Sequence, residues 1–247
     1  MPTLYLLGTG AAISDPHRTT TMLACRSGSD TLVIDCGGDV VQRLLASKID
    51  LETISALIVT HEHPDHVSGF PLFMEKIWLA GRDRPIPVYG IRPAIEQARR
   101  ALAAFDTSSW DLPEIAWNEV PHEPSASVMR TASWHVDASP GRHGVPVVGL
   151  RITARASGKT VAYSCDTEPC STITSLATGA DILVHEANGE GSGHSSASQA
   201  ATTALDAGAK RLLLVHLPPG LPETDLDAAR SIFDATEMGT ELGSYNF

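Results

Sequence analysis

Basic residues are scarce in this chain: 18 Lys and Arg stand against 29 Asp and Glu over 247 residues, a formal net charge of −11. Proteins that follow a nucleic-acid backbone usually present a basic face to its phosphates, so this balance argues against extensive backbone contact. Long apolar runs are missing as well. No stretch approaches the roughly 20 residues needed to cross a bilayer, and no opening segment joins a positive patch to an apolar one. The expectation is a soluble, cytoplasmic protein without membrane association. Cysteine is confined to Cys25, Cys36, Cys165 and Cys170. They lack paired zinc-knuckle spacing, and a chain of this length needs no disulfide staples, so they read as reduced thiols. Cys36 and Cys165 sit close to candidate site residues, yet the role of small buried hydrophobe explains them. Repeats, low-complexity tracts and clean linkers are absent, and 43% apolar content supports a substantial core.

What is present is concentrated in six residues. His61-Glu62-His63-Pro64-Asp65-His66 places four side chains able to bind metal directly after Ala56-Leu57-Ile58-Val59-Thr60, a β-branched apolar stretch that reads as a buried strand. A lone His at a strand end is ordinarily a surface turn residue, but three His and one Asp at this spacing point to metal. Imidazole and carboxylate suit zinc, and Mn²⁺ or Fe²⁺ bind the same donor types. Four candidates exceed what one open catalytic site uses. With residues from elsewhere they could fill two adjacent sites, the arrangement that clamps the attacking and leaving oxygens of a phosphodiester.

The rest of the chain alternates strand and helix patterns. Leu4 to Leu7 before Gly8-Thr9-Gly10, and Thr31 to Ile34 before Asp35-Cys36-Gly37-Gly38, read as strands ending in tight turns. Helical patterns cover Val40 to Lys48, Phe70 to Leu79, Ile95 to Phe105 and Ser196 to Ala207, with strands at Ile86 to Gly90, Val147 to Thr153, Thr160 to Ser164, Asp181 to Val184 and Arg211 to Val215. Thr107 to Pro124, rich in Pro, Trp and acidic residues, reads as loop and edge structure. The alternation predicts a layered α/β architecture. Three further metal candidates flank strands: His143, Asp166 and His216. Taken singly they are a turn His, a helix N-cap and a strand-end His. Together they supply what a site built on rigid sheet ends requires.

His61 to His66 followed by His143, Asp166 and His216 resembles the seven-ligand set of the metallo-β-lactamase superfamily, specifically its dinuclear zinc phosphodiesterases. Leu6-Leu7-Gly8-Thr9-Gly10, Ile34-Asp35-Cys36-Gly37 with Gln42, Gly69-Phe70-Pro71, His143-Gly144-Val145-Pro146, Tyr163-Ser164-Cys165-Asp166-Thr167 and Gly193-His194-Ser195-Ser196 with Gln199-Ala200-Ala201 are similar to the ribonuclease Z family of tRNA 3′-end endonucleases. The resemblance implies a four-layer αββα sandwich of two similar halves, formed by residues 1–247 as one hydrolase domain, and a homodimer. It implies that His61, His63 and His143 bind one Zn²⁺, that Asp65, His66 and His216 bind a second, and that Asp166 bridges them. Asp65 would orient the attacking water and accept its proton. His185 and Glu186, in His185-Glu186-Ala187-Asn188, match the family's proton-supplying pair; the alternative is a buried structural His beside a hydrogen-bonded Glu. His194 would touch substrate phosphate, with Ser195 and Ser196 beside it; capping of the following helix also explains the two serines.

The chain departs from the family in three places. The family's long basic tRNA-gripping arm is often inserted between the positions of His143 and Asp166, which here are 23 positions apart (166 − 143) and leave room for two strands and a turn. Leu217-Pro218-Pro219-Gly220 replaces the family's Ser and Arg after the last His, and Asn188 replaces a Thr. The leading expectation is therefore an armless dinuclear zinc phosphodiesterase, with an RNA 3′ region as one substrate reading. A small or cyclic nucleotide diester is the alternative substrate, and a thioester or β-lactam hydrolase or a non-catalytic metal-bound scaffold are the other classes in view.

Overall fold

The computed structural model describes residues 1–247. It contains β1 (Thr3–Gly8), β2 (Met22–Ser27), β3 (Asp30–Ile34), α1 (Val40–Ala46), β4 (Ile54–Val59), α2 (Pro64–Val67), α3 (Phe70–Leu79), β5 (Ile86–Gly90), α4 (Arg92–Ala103) and β6 (Ile115–Glu119). The second half follows with β7 (Ala126–Arg130), β8 (Trp134–Pro140), β9 (Val148–Ala154), β10 (Lys159–Tyr163), α5 (Ser171–Leu176), β11 (Ile182–Glu186), α6 (Ala197–Ala207), β12 (Leu212–Val215), α7 (Glu223–Ile232), β13 (Thr236–Met238) and β14 (Ser244–Asn246).

Two seven-stranded sheets result, ordered β14-β1-β2-β3-β4-β5-β6 and β13-β12-β11-β10-β9-β8-β7. Each half is antiparallel at one side and parallel at the other: β3 to β6 run parallel, as do β10 to β13. Parallel neighbours need crossovers, which the helices supply. α1, α3 and α4 cover the first sheet, and α5, α6 and α7 the second. This is the αββα sandwich of two similar halves, and it agrees with the layered reading of the sequence.

Burial follows from the strand sequences. β4 and β12 are apolar along nearly their whole length because both their faces are covered. One large core runs between the sheets and on under the helices of the first sheet, with Trp134, Leu4, Leu6 and Ile34 on strands and Phe70 and Phe73 on α3 fully buried. Trp134 on β8 donates its indole N–H to Asp30 on β3 over 3.1 Å, so the largest core side chain also ties the two sheets together. A second cluster under α6 and α7 consists of alanines and leucines alone, among them Ala200, Ala204, Leu212 and Leu214. The small side chains let α6 lie close to its sheet. That helix opens with Ser196 accepting from the Gln199 N–H while Gln199 accepts from the Ser196 N–H, a capping box.

Several elements lie outside the sequence reading. β2, β7, β8, α5 and α7 were not anticipated, and the helix expected from Ile95 begins at Arg92 because Pro93 suits a first turn. The segment Thr107–Pro124 contains the edge strand β6, and Trp110 within it stacks on Trp78 of α3 at 5.5 Å. The chain's tail supplies β13 to one sheet and β14 to the other, closing an edge of each.

Cys25, Cys36 and Cys165 are fully buried, and burial pushes the Cys25 thiol up to about 12. Cys170 alone is partly accessible. A disulfide-exchange thiol reagent should therefore titrate one thiol per native chain and four after denaturation, and rapid reaction of more than one in the native state would contradict this packing.

Candidate metal centre

The C-terminal ends of β3, β4, β10, β11 and β12 meet at one edge of the sandwich. In parallel arrangements this edge is where ligand-binding loops gather. Asp35 follows β3, His61 follows β4, Asp166 follows β10, Glu186 closes β11 and His216 follows β12. Asp35, Cys165 and His216 all have left-handed backbone, with φ of 61°, 54° and 51°. Each turn redirects the chain immediately beyond a rigid strand, and a non-glycine residue held this way costs of order 1–3 kcal/mol. The edge is laced across the sheets by Leu217 N–H to Thr9 C=O at 3.0 Å and His216 N–H to Thr21 Oγ1 at 3.1 Å.

The six-residue motif divides between a loop and a helix. His61 and His63 extend from β4, and Pro64 starts α2, placing Asp65 and His66 in its first turn. Gly37 lets the loop after β3 press against α2, since a Cβ there would meet the Asp65 carbonyl oxygen at 1.7 Å. Gly193 similarly lies against the His143 ring, with φ +87° and only 2.7 Å between a Cβ and Nδ1.

These elements bring two donor sets together. His61, His63, His143 and Asp166 form one, and Asp65, His66, Asp166 and His216 the other, with Asp166 common to both. His143 Nε2 lies 3.1 Å from His63 Nδ1, and both His61 Nε2 and His143 Nε2 are 3.9 Å from Asp166 Oδ2. In the other set, His216 Nε2 is 3.2 Å from Asp65 Oδ2, His66 Nε2 is 3.5 Å from the same oxygen and 3.4 Å from Asp166 Oδ1, and His216 Nε2 is 3.4 Å from Asp166 Oδ2. A tetrahedral zinc with bonds of 2.0–2.1 Å holds its donors about 3.3 Å apart, close to these separations. His61 Nε2, His66 Nε2 and Asp166 Oδ1 are buried without any hydrogen-bond partner, although such atoms are almost always paired. Convergent, unpaired N and O donors at this spacing fit a metal cation.

Surrounding groups orient the rings. His66 Nδ1 donates to Asp35 at 2.9 Å, and His143 Nδ1 donates to the Gly193 carbonyl at 2.7 Å, leaving each Nε2 lone pair facing the cluster. His61 Nδ1 lies 3.2 Å from Thr60 Oγ1 and 3.5 Å from Cys165 Sγ, and the Cys165 thiol donates to Thr60 at 2.9 Å. Cys165 is thus both the small buried residue foreseen and a neighbour of the site. Burial pushes the Asp166 carboxyl up, but His216, His66 and His61 outweigh it and hold it well below the usual carboxylate range. Burial, reinforced by His66, pushes His61 well below the usual imidazole range, which keeps it in the neutral form a metal requires.

The pairing of Glu186 differs from the expectation. Adjacent strand residues face opposite sides of a sheet. Glu186 points into the site, whereas His185 shares the face of Leu183 and Ala187 in the cluster under α6 and gives Nδ1–H to its neighbour's carbonyl at 2.8 Å. The fully buried Glu186 carboxylate instead accepts His194 Nδ1–H at 3.0 Å, together with the N–H groups of Thr167 and Asn188. That hydrogen bond raises the His194 pKa against a smaller opposing effect of burial. The His194 ring sits 5.0 Å from that of His143 and 5.5 Å from that of His216. Ser195 and Ser196 also depart from a substrate role. Ser195 Oγ donates to the Thr167 carbonyl at 2.6 Å, and Ser196 caps α6. Sequence reasoning missed that His194 is the partner of Glu186; the signal available was the period-two alternation along Ile182–Glu186.

A model of the beta-lactamase superfamily domain matches residues 30–217. The chain is 30% identical to ribonuclease Z of Mycobacterium bovis over 88% of this chain and 86% of that protein, and 28% identical to ribonuclease Z of Methanothermobacter thermautotrophicus over 98% and 95%. Its fold superposes on the short form of human tRNase Z with a TM-score of 0.82 at 23% identity, covering 100% of this chain and 99% of that one.

Asp35→Asn keeps the shape and the left-handed backbone but turns an amide N–H₂ toward a buried donor. It should cost about 1–3 kcal/mol in denaturant unfolding and weaken metal binding 10- to 100-fold in chelator competition. Burial lowers the His185 pKa from 6.5. Above pH 6.5 neither folded nor unfolded chain carries that proton; below it the unfolded chain gains one that the folded chain refuses, so stability falls as pH drops toward the folded value. His185→Leu should lose less stability than the parent between pH 7 and 5, and equal slopes would rule out this contribution.

Proposed function

This chain belongs to the beta-lactamase superfamily and to the ribonuclease Z family within it, and on that premise we propose that it is a dinuclear zinc phosphodiesterase. The observation that carries the reading is the sharing of buried Asp166 by two donor sets at ligand spacing. His61, His63 and His143 would hold one Zn²⁺, and Asp65, His66 and His216 the other, with Asp166 between them; Mn²⁺ or Fe²⁺ suit the same donors. Such a metal pair, when bound, activates water at neutral pH and stabilises charge on phosphoryl oxygens.

The protein's own groups supply the rest. Asp65 is half-buried beside the cluster, where its carboxylate can orient the attacking water and take its proton. His194 is the group we assign as general acid. Its Nδ1 is held by Glu186, whose hydrogen bond raises its pKa and favours the protonated form, and its Nε2 is left for the leaving oxygen. Glu186, held by three donors, acts as its positioning partner. His185 has no part in this chemistry.

The reading extends to residues 1–247 acting as one cytoplasmic hydrolase domain, paired as a homodimer, as the family resemblance implies. For the substrate, the relatives' name favours RNA, and the family resemblance an RNA 3′ end. A small or cyclic phosphodiester is the second reading. It is favoured by the interval between His143 and Asp166, which consists of β9, β10 and their turn and carries no basic arm.

Metal-loaded protein should contain two zinc ions per chain by elemental analysis and should hydrolyse bis(p-nitrophenyl) phosphate. His194→Ala should lower turnover by roughly 10²- to 10⁴-fold with metal content retained, while His185→Leu stays close to the parent. Cleavage of a 3′-extended precursor tRNA, with Asp166→Ala as control, separates the two substrate readings. Thioester hydrolysis without diester hydrolysis would overturn both.

A further inference from the structure

His194 rides on a loop with little rigidity of its own. Between β11 and α6 the chain runs from Asn188 to His194 with a glycine at every second position, and Glu190, Gly191 and Ser192 are exposed. Glycine gives the backbone its widest freedom, so this segment has the most to lose on being fixed. From Gly189 to His194 two backbone bonds stay within the loop, His194 N–H to Gly191 C=O and Gly189 N–H to Ser195 C=O. Only the backbone of Gly193 bonds beyond it.

Gly193 is held from both sides. Its carbonyl accepts His143 Nδ1–H at 2.7 Å, and its N–H donates to Glu168 Oε1 at 2.8 Å. Glu168 is tied back in turn, because its own N–H donates to the Arg142 carbonyl at 2.8 Å and Arg142 precedes His143 in the chain. The bonds close a ring through His143, Gly193, Glu168 and Arg142. Asp166, common to both donor sets, stands two positions before Glu168 and joins the same unit. His194 therefore has two anchors. Glu186 holds the ring through Nδ1 at 3.0 Å, and the clamp on Gly193 holds the backbone from which that ring extends. With the second anchor gone, the ring can pivot about Glu186, and a displacement of about 1 Å is enough to cost up to 10²-fold in rate.

We infer that Glu168 is a positioning residue for His194, and that its bond to Gly193 couples the loop to occupancy of the metal centre. The inference rests on the proposed phosphodiesterase activity, in which His194 is the general acid, and extends it to how that acid is placed. A His143 that gives its Nε2 lone pair to a metal must keep its ring proton at Nδ1, which makes the bond to Gly193 obligatory. An unligated His143 is free to move that proton to Nε2 and release the carbonyl, leaving Glu168 to hold Gly193 alone. Loading of the centre and seating of the acid are thus one event.

The test compares Glu168→Ala, which removes the acceptor, with Glu168→Gln, which keeps an oxygen in its place, in zinc-loaded protein acting on bis(p-nitrophenyl) phosphate. E168A should lower kcat about ten- to 100-fold with KM, zinc content and Tm close to wild type, and E168Q should restore kcat to within about threefold. In a His194→Ala background E168A should lower kcat by less than about twofold, since residues that act through one group are not additive. Hydrogen exchange gives a readout independent of turnover. Zinc loading should slow exchange of the amides from Asn188 to His194 in wild type and E168Q, and E168A should lose that protection. Equal losses of kcat in E168A and E168Q, an undiminished effect of E168A without His194, or exchange unaltered in E168A overturns the inference. If no diester is hydrolysed, the phosphodiesterase reading fails separately and exchange decides the clamp by itself. Should E168A not fold, Glu168→Asp, which draws the acceptor back by one methylene, takes its place in both measurements.

Discussion

The mutual approach of imidazoles and carboxylates at the seam between the two sheets is the constraint around which this structure is arranged. Asp35, Asp166, His61, His66 and His216 are almost completely removed from water, and an isolated buried charge is prohibitively costly. The arrangement is tolerable because the buried carboxylates face imidazoles and the His66 and His143 rings are directed by Asp35 and the Gly193 carbonyl behind them. A cation between the converging donors completes that balance.

Both halves of the sandwich must contribute for this to happen. The first sheet delivers Asp35, His61 and, through α2, Asp65 and His66; the second delivers Asp166, Glu186 and His216. Residues after strands with left-handed backbone, and glycines against which His143 and α2 press, convert rigid strand ends into abrupt turns. Strained backbone at Asp35, Cys165 and His216 thus serves placement of the site, while regular sheet and alanine-lined helix packing hold the rest. Arg142 and Glu168 bridge the segments that carry His143 and Asp166.

Legibility in the sequence followed contiguity. His61 to His66 could be read directly because its donors fall within one strand-end segment. His143, Asp166 and His216 each needed an adjacent strand and a family resemblance to stand out from ordinary turn and cap residues. The pair His185-Glu186 shows the limit: chain neighbours on a strand point to opposite faces, so the residue beside Glu186 is buried under α6 while its true partner lies eight positions later in a loop. Ser195 and Ser196 sit in that same loop, but one hydroxyl is engaged by a backbone carbonyl and the other by a helix end. β8 was legible and missed: its buried Trp134, Val136 and Ala138 alternate with polar residues, which is the period-two signal of a half-buried strand.

The sequence by itself determined the layered α/β architecture, the metal-binding chemistry and the absence of an arm between His143 and Asp166. These depend on hydrophobic periodicity, on donor type and on segment length, all of which are local along the chain. Only the tertiary structure decided that Glu186 serves His194, that His185 turns away from the site, and that the Ser195 and Ser196 hydroxyls are engaged elsewhere. Those facts depend on which strand ends meet and which face each side chain takes. Long-range packing sets both, and sequence spacing carries no direct record of it.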